Sequence, residues 1–218
     1  MTNKNSTKLL SIILTTFISL ISVMVFIIRV IIGFDFYTCA INGFNGEYLK
    51  YFTSLSNFYS GIVFTIILIY LLKHYKEDNV IIPKYLKILT LSAVVGVTVT
   101  FLVTIFFLNF SISTPWILYE YEILFFHIIN PIVSIIYYIF FLKGEKLKFY
   151  QLLFGALPLF IYSIFYSVFV LSGVWKDFYN FTFGGNYWVF FIAFPSVILI
   201  GLGVSILLNL FNKKVHKE

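Results

Sequence analysis

Six long apolar runs, parted by short polar connections, constrain this chain more than any other feature. Each run is about the 20 residues that a helix needs to cross the hydrocarbon core of a bilayer. They cover approximately residues 9–33, 51–72, 85–109, 117–142, 150–171 and 188–211. The spacing predicts an all-α, polytopic membrane protein: one transmembrane domain over residues 1–218, built as a six-helix bundle. The alternating polarity that lipid-facing strands of a membrane barrel require is not seen.

The solvent follows from the side chains. Of 218 residues, 61% are hydrophobic and only 11% are charged, too few to cover a water-facing surface. The first run has a basic start at Lys4 and Lys8, like a signal peptide, yet it continues for about 25 residues past Leu9. A signal core is about 7–15 residues long, so the run is expected to be a spanning helix. The net charge of +6 sits at the ends of the runs and points to membrane orientation, not to nucleic acid.

That orientation is legible in the lysines. Twelve of them fall at the N-terminus, in the second and fourth connections and at the C-terminus. The odd connections hold only Lys50 and Lys176. A bias of this size predicts a multi-pass protein of the cell membrane with both termini cytoplasmic. Trp116, Trp175 and Trp188 all fall at the opposite, outer ends, as interfacial anchors do.

Polar residues inside the runs are costly in lipid, so they mark candidate sites. In the second run Thr53, Ser56, Asn57 and Ser60 recur every three or four residues and share a face. In the fourth run Glu120, His127, Asn130 and Ser134 do the same. Asn57 and His127 each stand 16 residues before the closing lysines Lys73 and Lys143, and Thr53 stands 20 before Lys73. The two stripes are therefore expected at similar depth, with Thr53 about one turn nearer the outside and helix tilt able to bring it to His127. His127 is the only histidine within a run, and its ring needs a hydrogen-bond partner. Pro131, four residues on, removes the helical donor for the His127 carbonyl. Ser56, Ser60 and Ser134 read as interhelical hydrogen bonds. Arg29 is expected to pair with Asp35, Glu120 or Glu122, or to hold an anionic group. Glu120 and Glu122 fall near the interface, where solvation is the simple expectation. The connection from Gly173, rich in aromatics and glycine, reads as an ordered plug on the outer face.

A single cysteine, Cys39, and three scattered histidines support no metal site, and no cofactor is expected. No internal repeat of the kind common in transporters is seen.

Tyr51-Phe52-Thr53-Ser54-Leu55-Ser56-Asn57 and His127-Ile128-Ile129-Asn130-Pro131 resemble two segments of a membrane family. It comprises the bacterial relatives of the androgen-induced-gene proteins, the membrane threonine hydrolases of animals. The resemblance covers residues 10 to 140. It implies cleavage of fatty-acid esters of hydroxy fatty acids, with Thr53 as nucleophile and His127 as base. The sequence departs from the family pattern after the proline, where Ser134-Ile135-Ile136-Tyr137-Tyr138 replaces an expected acidic residue.

Two functions follow. One is hydrolysis of a lipid ester by Thr53 and His127, with Asn57, Ser56, Asn130, Glu120 and Arg29 around the substrate and Asn57 or the backbone beside Thr53 as oxyanion donor. The partner would be a membrane lipid or fatty-acyl substrate. The other is a non-enzymatic bundle, a small transporter or ligand-binding subunit, with His127 as a proton or hydrogen-bond relay.

Overall fold

A computed structural model of the chain describes residues 2–77, 79–109, 120–182 and 184–217. Six helices in it are long and apolar enough to cross a membrane: Ser6–Ile32, Phe52–Lys73, Lys84–Phe106, Tyr121–Phe141, Phe149–Leu171 and Trp188–His216. They are called the first to sixth spans below. Together they form the expected polytopic helical bundle. The predicted ends agree within a few residues, except that the sixth span runs on to His216 because nothing in Asn212–Lys214 breaks a helix. Trp116 and residues 117–119, the predicted start of the fourth span, lie outside the described residues.

The third span is the axis of the bundle. Two thirds of its apolar window (67%) is buried, against 22% for the sixth. Its Leu91, Val94 and Val95 meet Phe64 and Ile67 of the second span, Tyr137 and Tyr138 of the fourth and Leu159 of the fifth in one core. Apolar burial alone does not drive helices together in lipid, so close packing and hydrogen bonds must. Gly61 illustrates the packing: a Cβ there would lie 2.9 Å from Cβ of Ser22 on the first span. Ser19 and Thr65 join the same two spans at 2.5 Å. Ser205 donates to the Leu152 carbonyl at 2.7 Å, and Asn212 to that of Tyr138 at 2.7 Å, tying the sixth span to the fifth and fourth.

The lysine-rich end is closed by backbone contacts. Ile82 and Gly144 form an isolated bridge between the second and fourth connections, and Lys84 pairs with Glu145 at 3.2 Å. Lys87, counted among the orienting lysines, is fully buried and donates to the Gly144 carbonyl at 3.3 Å. At the other end the first span closes in a π-helical turn, Ile27–Ile32, and then Gly33 at φ +67°. A two-stranded antiparallel hairpin follows, Phe34–Asp35 with Ala40–Ile41, and then a 3-10 turn, Gly46–Lys50. Gly33 has no room for a side chain, since a Cβ would meet the Gly43 carbonyl.

Candidate active site

The first residues of the second span lie beside the fourth span, and here the two predicted polar stripes meet. Thr53 Oγ1 faces His127 Nε2 at 3.4 Å. That is a few tenths of an ångström longer than a formed hydrogen bond, as unliganded catalytic pairs often are. The depth difference of one turn is closed partly by side-chain direction. Helical side chains lean toward the N-terminus, so the long imidazole reaches back toward the end where Thr53 sits.

Local chemistry leaves Thr53 available for this contact. Thr15, Thr65, Thr90, Thr98, Thr100 and Thr104 each donate to the carbonyl four residues earlier in their helices. Thr53 is the second residue of its helix and has no such carbonyl. The nearby Lys50 carbonyl is occupied by the Tyr162 hydroxyl at 2.6 Å.

The imidazole is oriented by backbone. His127 Nδ1 lies 3.0 Å from the Ile123 carbonyl. A carbonyl can only accept, so Nδ1 carries the proton in the neutral ring and Nε2 presents its lone pair to Thr53. A third group for His127 was not identifiable from side chains because it is this main-chain oxygen.

A π-helical turn, Phe125–Ile129, surrounds His127. The Asn130 N–H donates to Phe125, five residues back. Pro131, at the corresponding place for Phe126, has no N–H to give. The Phe126 carbonyl is taken instead by Asn57 Nδ2 at 3.2 Å. The proline effect predicted for His127 is thus met one residue earlier, because the helix runs in π register there. Asn57 Nδ2 also donates to the Thr53 carbonyl at 2.8 Å, and its Oδ1 accepts from Asn130 at 2.5 Å. Both amides are fully buried. With both N–H groups spent on carbonyls, Asn57 is not an oxyanion donor, and it and Asn130 hold the second and fourth spans in register.

Ser134 donates to Asn130 at 3.3 Å. Ser56 joins the Thr53 carbonyl and Thr100, both at 3.2 Å, and does not reach the cavity. Glu120 stands at the N-cap position of the fourth span without a side-chain cap, outside the cavity, and is half-buried. The expected solvation of Glu122 is corrected: it is buried and lies 2.8 Å from Arg29 Nη2. Glu120 stands in extended backbone before the helix and Tyr121 has φ +46°, so the chain turns sharply between the two carboxylates and only Glu122 faces Arg29. Arg29 also donates to the Phe34 carbonyl at 3.0 Å and stacks on Tyr48 with 4.4 Å to its centroid. Asp35 instead accepts the Tyr37 N–H at 2.8 Å.

These groups line a cavity of about 410 Å³ whose walls include Arg29, Glu122, Thr53, Ser54, His127 and Tyr179. Tyr179 was not anticipated. Its hydroxyl accepts the Phe52 N–H at 3.0 Å and caps the second span beside Thr53. Burial pushes that hydroxyl up to about 12, so it stays neutral. Asp177 anchors the loop by accepting from Tyr166 (2.8 Å), Phe181 N–H (3.0 Å), Thr182 N–H (2.6 Å) and the Thr182 hydroxyl (2.7 Å). The predicted plug is therefore a wall of the site. The Asp at position 177, followed within five residues by three aromatics and a threonine, was the available signal.

Among the described residues no three His, Cys, Asp or Glu side chains cluster to hold a metal. No protein-family profile, curated protein or solved structure matches the chain.

Proposed function

We propose that this protein is an integral membrane hydrolase of lipid (fatty-acid) esters, with Thr53 as nucleophile and His127 as general base. The observation that carries the reading is the run Ile123 carbonyl, His127 Nδ1, His127 Nε2, Thr53 Oγ1, at 3.0 and 3.4 Å. A threonine hydroxyl is a weak nucleophile alone and needs a base at this position with its lone pair directed to the hydroxyl. The lysine bias supports a cell-membrane location with cytoplasmic termini, which puts the cavity near the outer leaflet.

In the reaction, Oγ1 attacks the acyl carbonyl and its proton passes to Nε2. The tetrahedral oxyanion then collapses, the C–O bond to the alcohol breaks, and His127 returns the proton to the leaving oxygen. Water, deprotonated by the same ring, hydrolyses the acyl-threonine. The Ser54 N–H is one of the first-turn amides of the second span, on the cavity wall at the positive end of the helix. It is the natural oxyanion donor in place of Asn57. The Tyr51–Asn57 and His127–Pro131 segments, which resemble those of membrane threonine hydrolases, support the same assignment.

The test is covalent trapping with an alkyl β-lactone. Ring opening by Oγ1 leaves the whole reagent attached as an ester. The expected result is one adduct on the Thr53 peptide, lost in His127→Ala. Adducts spread over other hydroxyls, or none, would overturn the assignment.

A further inference from the structure

A groove of about 550 Å³ runs between the second, third and fifth spans. It is separate from the cavity of Thr53 and His127. The rings of Phe52 and Tyr162, packed 5.0 Å apart centroid to centroid, wall it off, and neither Thr53 nor His127 lines it. An occupant of the groove is therefore out of reach of the proposed nucleophile.

Along its length the groove offers only hydrocarbon contact. Its walls carry Leu55, Leu89, Leu157, Ile161 and Phe165. The hydroxyls among them are already partnered: Tyr59 and Ser92 bond each other at 2.7 Å, Ser56 is held by the Thr53 carbonyl and Thr100, and Tyr162 donates to the Lys50 carbonyl. Leu157, Ile161 and Phe165 are 42%, 46% and 56% exposed, so the groove opens sideways to lipid. On the fifth span its wall runs from Phe154 to Phe169, roughly 22 Å at 1.5 Å per residue. That covers one leaflet, half of the ~30 Å hydrocarbon core, with length to spare. Dividing the 550 Å³ by this length leaves a cross-section of roughly 25 Å². A helix 10–12 Å across needs roughly 80–110 Å², so a partner helix does not fit and a single hydrocarbon chain does.

The end of the groove opposite the lysine-rich face has a different chemistry. Trp175 lines it there, with its ring stacked 4.5 Å from that of Phe169, and tryptophan favours the level of the lipid headgroups. Lys176 follows and is exposed. Among the described residues no carboxylate pairs with it. The adjacent Asp177 is occupied by Tyr166, Phe181 and Thr182, and the other lysine at this end, Lys50, is paired with Glu47 at 2.6 Å. A free cation thus stands at the mouth of an apolar slot one chain wide.

We infer that the groove seats a resident anionic phospholipid, with one acyl chain along the fifth span and its phosphate at Lys176 beside Trp175. This lipid is structural and not a substrate. It fills the space that parts the fifth span from the second and third, where close packing is what holds spans together. The fifth span needs such a filler, since only 33% of its apolar window is buried against protein.

The test uses the full chain in phosphatidylcholine nanodiscs and a phosphatidylglycerol probe bearing a diazirine near the methyl end of one chain. After illumination, labelled residues are mapped by peptide mass spectrometry, and each variant is checked by its melting curve. The expected result is labelling concentrated on the groove-facing residues of the second, third and fifth spans, competed by unlabelled phosphatidylglycerol and not by palmitate. Ile161→Trp, which fills the slot, should reduce it at least about fivefold. Lys176→Gln, on an exposed residue, should reduce it about fivefold by removing the phosphate contact. Labelling spread evenly over the lipid-facing residues of all spans would overturn the inference, as would labelling indifferent to both substitutions or displaced equally by palmitate. Photolabelling requires no turnover, so this outcome and the fate of the hydrolase reading are independent.

Discussion

Asn130 donates to the side-chain oxygen of Asn57 at 2.5 Å, and this contact sets where Thr53 meets His127. Each catalytic candidate lies within one helical turn of one of these amides. Asn57→Ala would strand the Phe126 carbonyl that the proline and the π turn leave unpaired. We predict a loss of about 1–2 kcal/mol in stability, read by thermal unfolding in detergent. Activity should fall roughly 10–100-fold as the pair drifts apart. A variant with wild-type melting and wild-type turnover would contradict this role.

Arg29 and Glu122 make a different kind of tie. Their side chains are 9% and 4% exposed, so either partner alone is a buried, uncompensated charge. Arg29→Ala is predicted to cost about 3–5 kcal/mol, whereas the double change Arg29→Met with Glu122→Leu should recover most of it. Melting temperatures of the single and double variants decide the point. Equal losses in both would mean that the pair contributes through its shape and not its charge.

Acid should loosen the fifth connection. Burial pushes the Asp177 carboxyl up, but the hydrogen bonds from Thr182, Tyr166 and Phe181 outweigh it and hold the group below its ordinary 3.8. Its contribution is therefore complete above that value and disappears as pH falls through the lower folded value. The wild type should lose stability across this acidic window. Asp177→Asn should be less stable at neutral pH and show a smaller pH slope there. Matching slopes for the two proteins in a melting series would refute the assignment.

Gly61 lets the first and second spans touch. Gly61→Leu must displace Ser22 and Val23, whose atoms lie 2.9 and 3.0 Å from where its Cβ would stand. A destabilisation of about 1–3 kcal/mol is expected, with Gly61→Ala milder. Unaltered melting of the leucine variant would show that the two spans separate freely.

The spans were legible because hydrocarbon thickness imposes a length that composition alone reveals. Thr53, Asn57, His127 and Asn130 were legible because polar side chains in lipid must find partners. Glu122 was misjudged as solvated because a residue at a helix start gives no sign of which way it turns. The orienting group for His127 escaped because a main-chain oxygen carries no side-chain signature. Tyr179 escaped for another reason: 127 residues separate it from Phe52, whose amide it caps. The π register at Phe125–Ile129 has no periodic signal, and only Pro131 hinted at a disturbed ladder.

The central claim is that Thr53 and His127 cleave lipid esters. The most direct measurement is hydrolysis of a panel of fatty-acid esters by purified protein in detergent, for wild type, Thr53→Ala and His127→Ala, each with its melting curve. The expected result is turnover by the wild type and loss of at least about 100-fold in both variants while folding is retained. No turnover on any ester, or turnover that survives both substitutions, would contradict it.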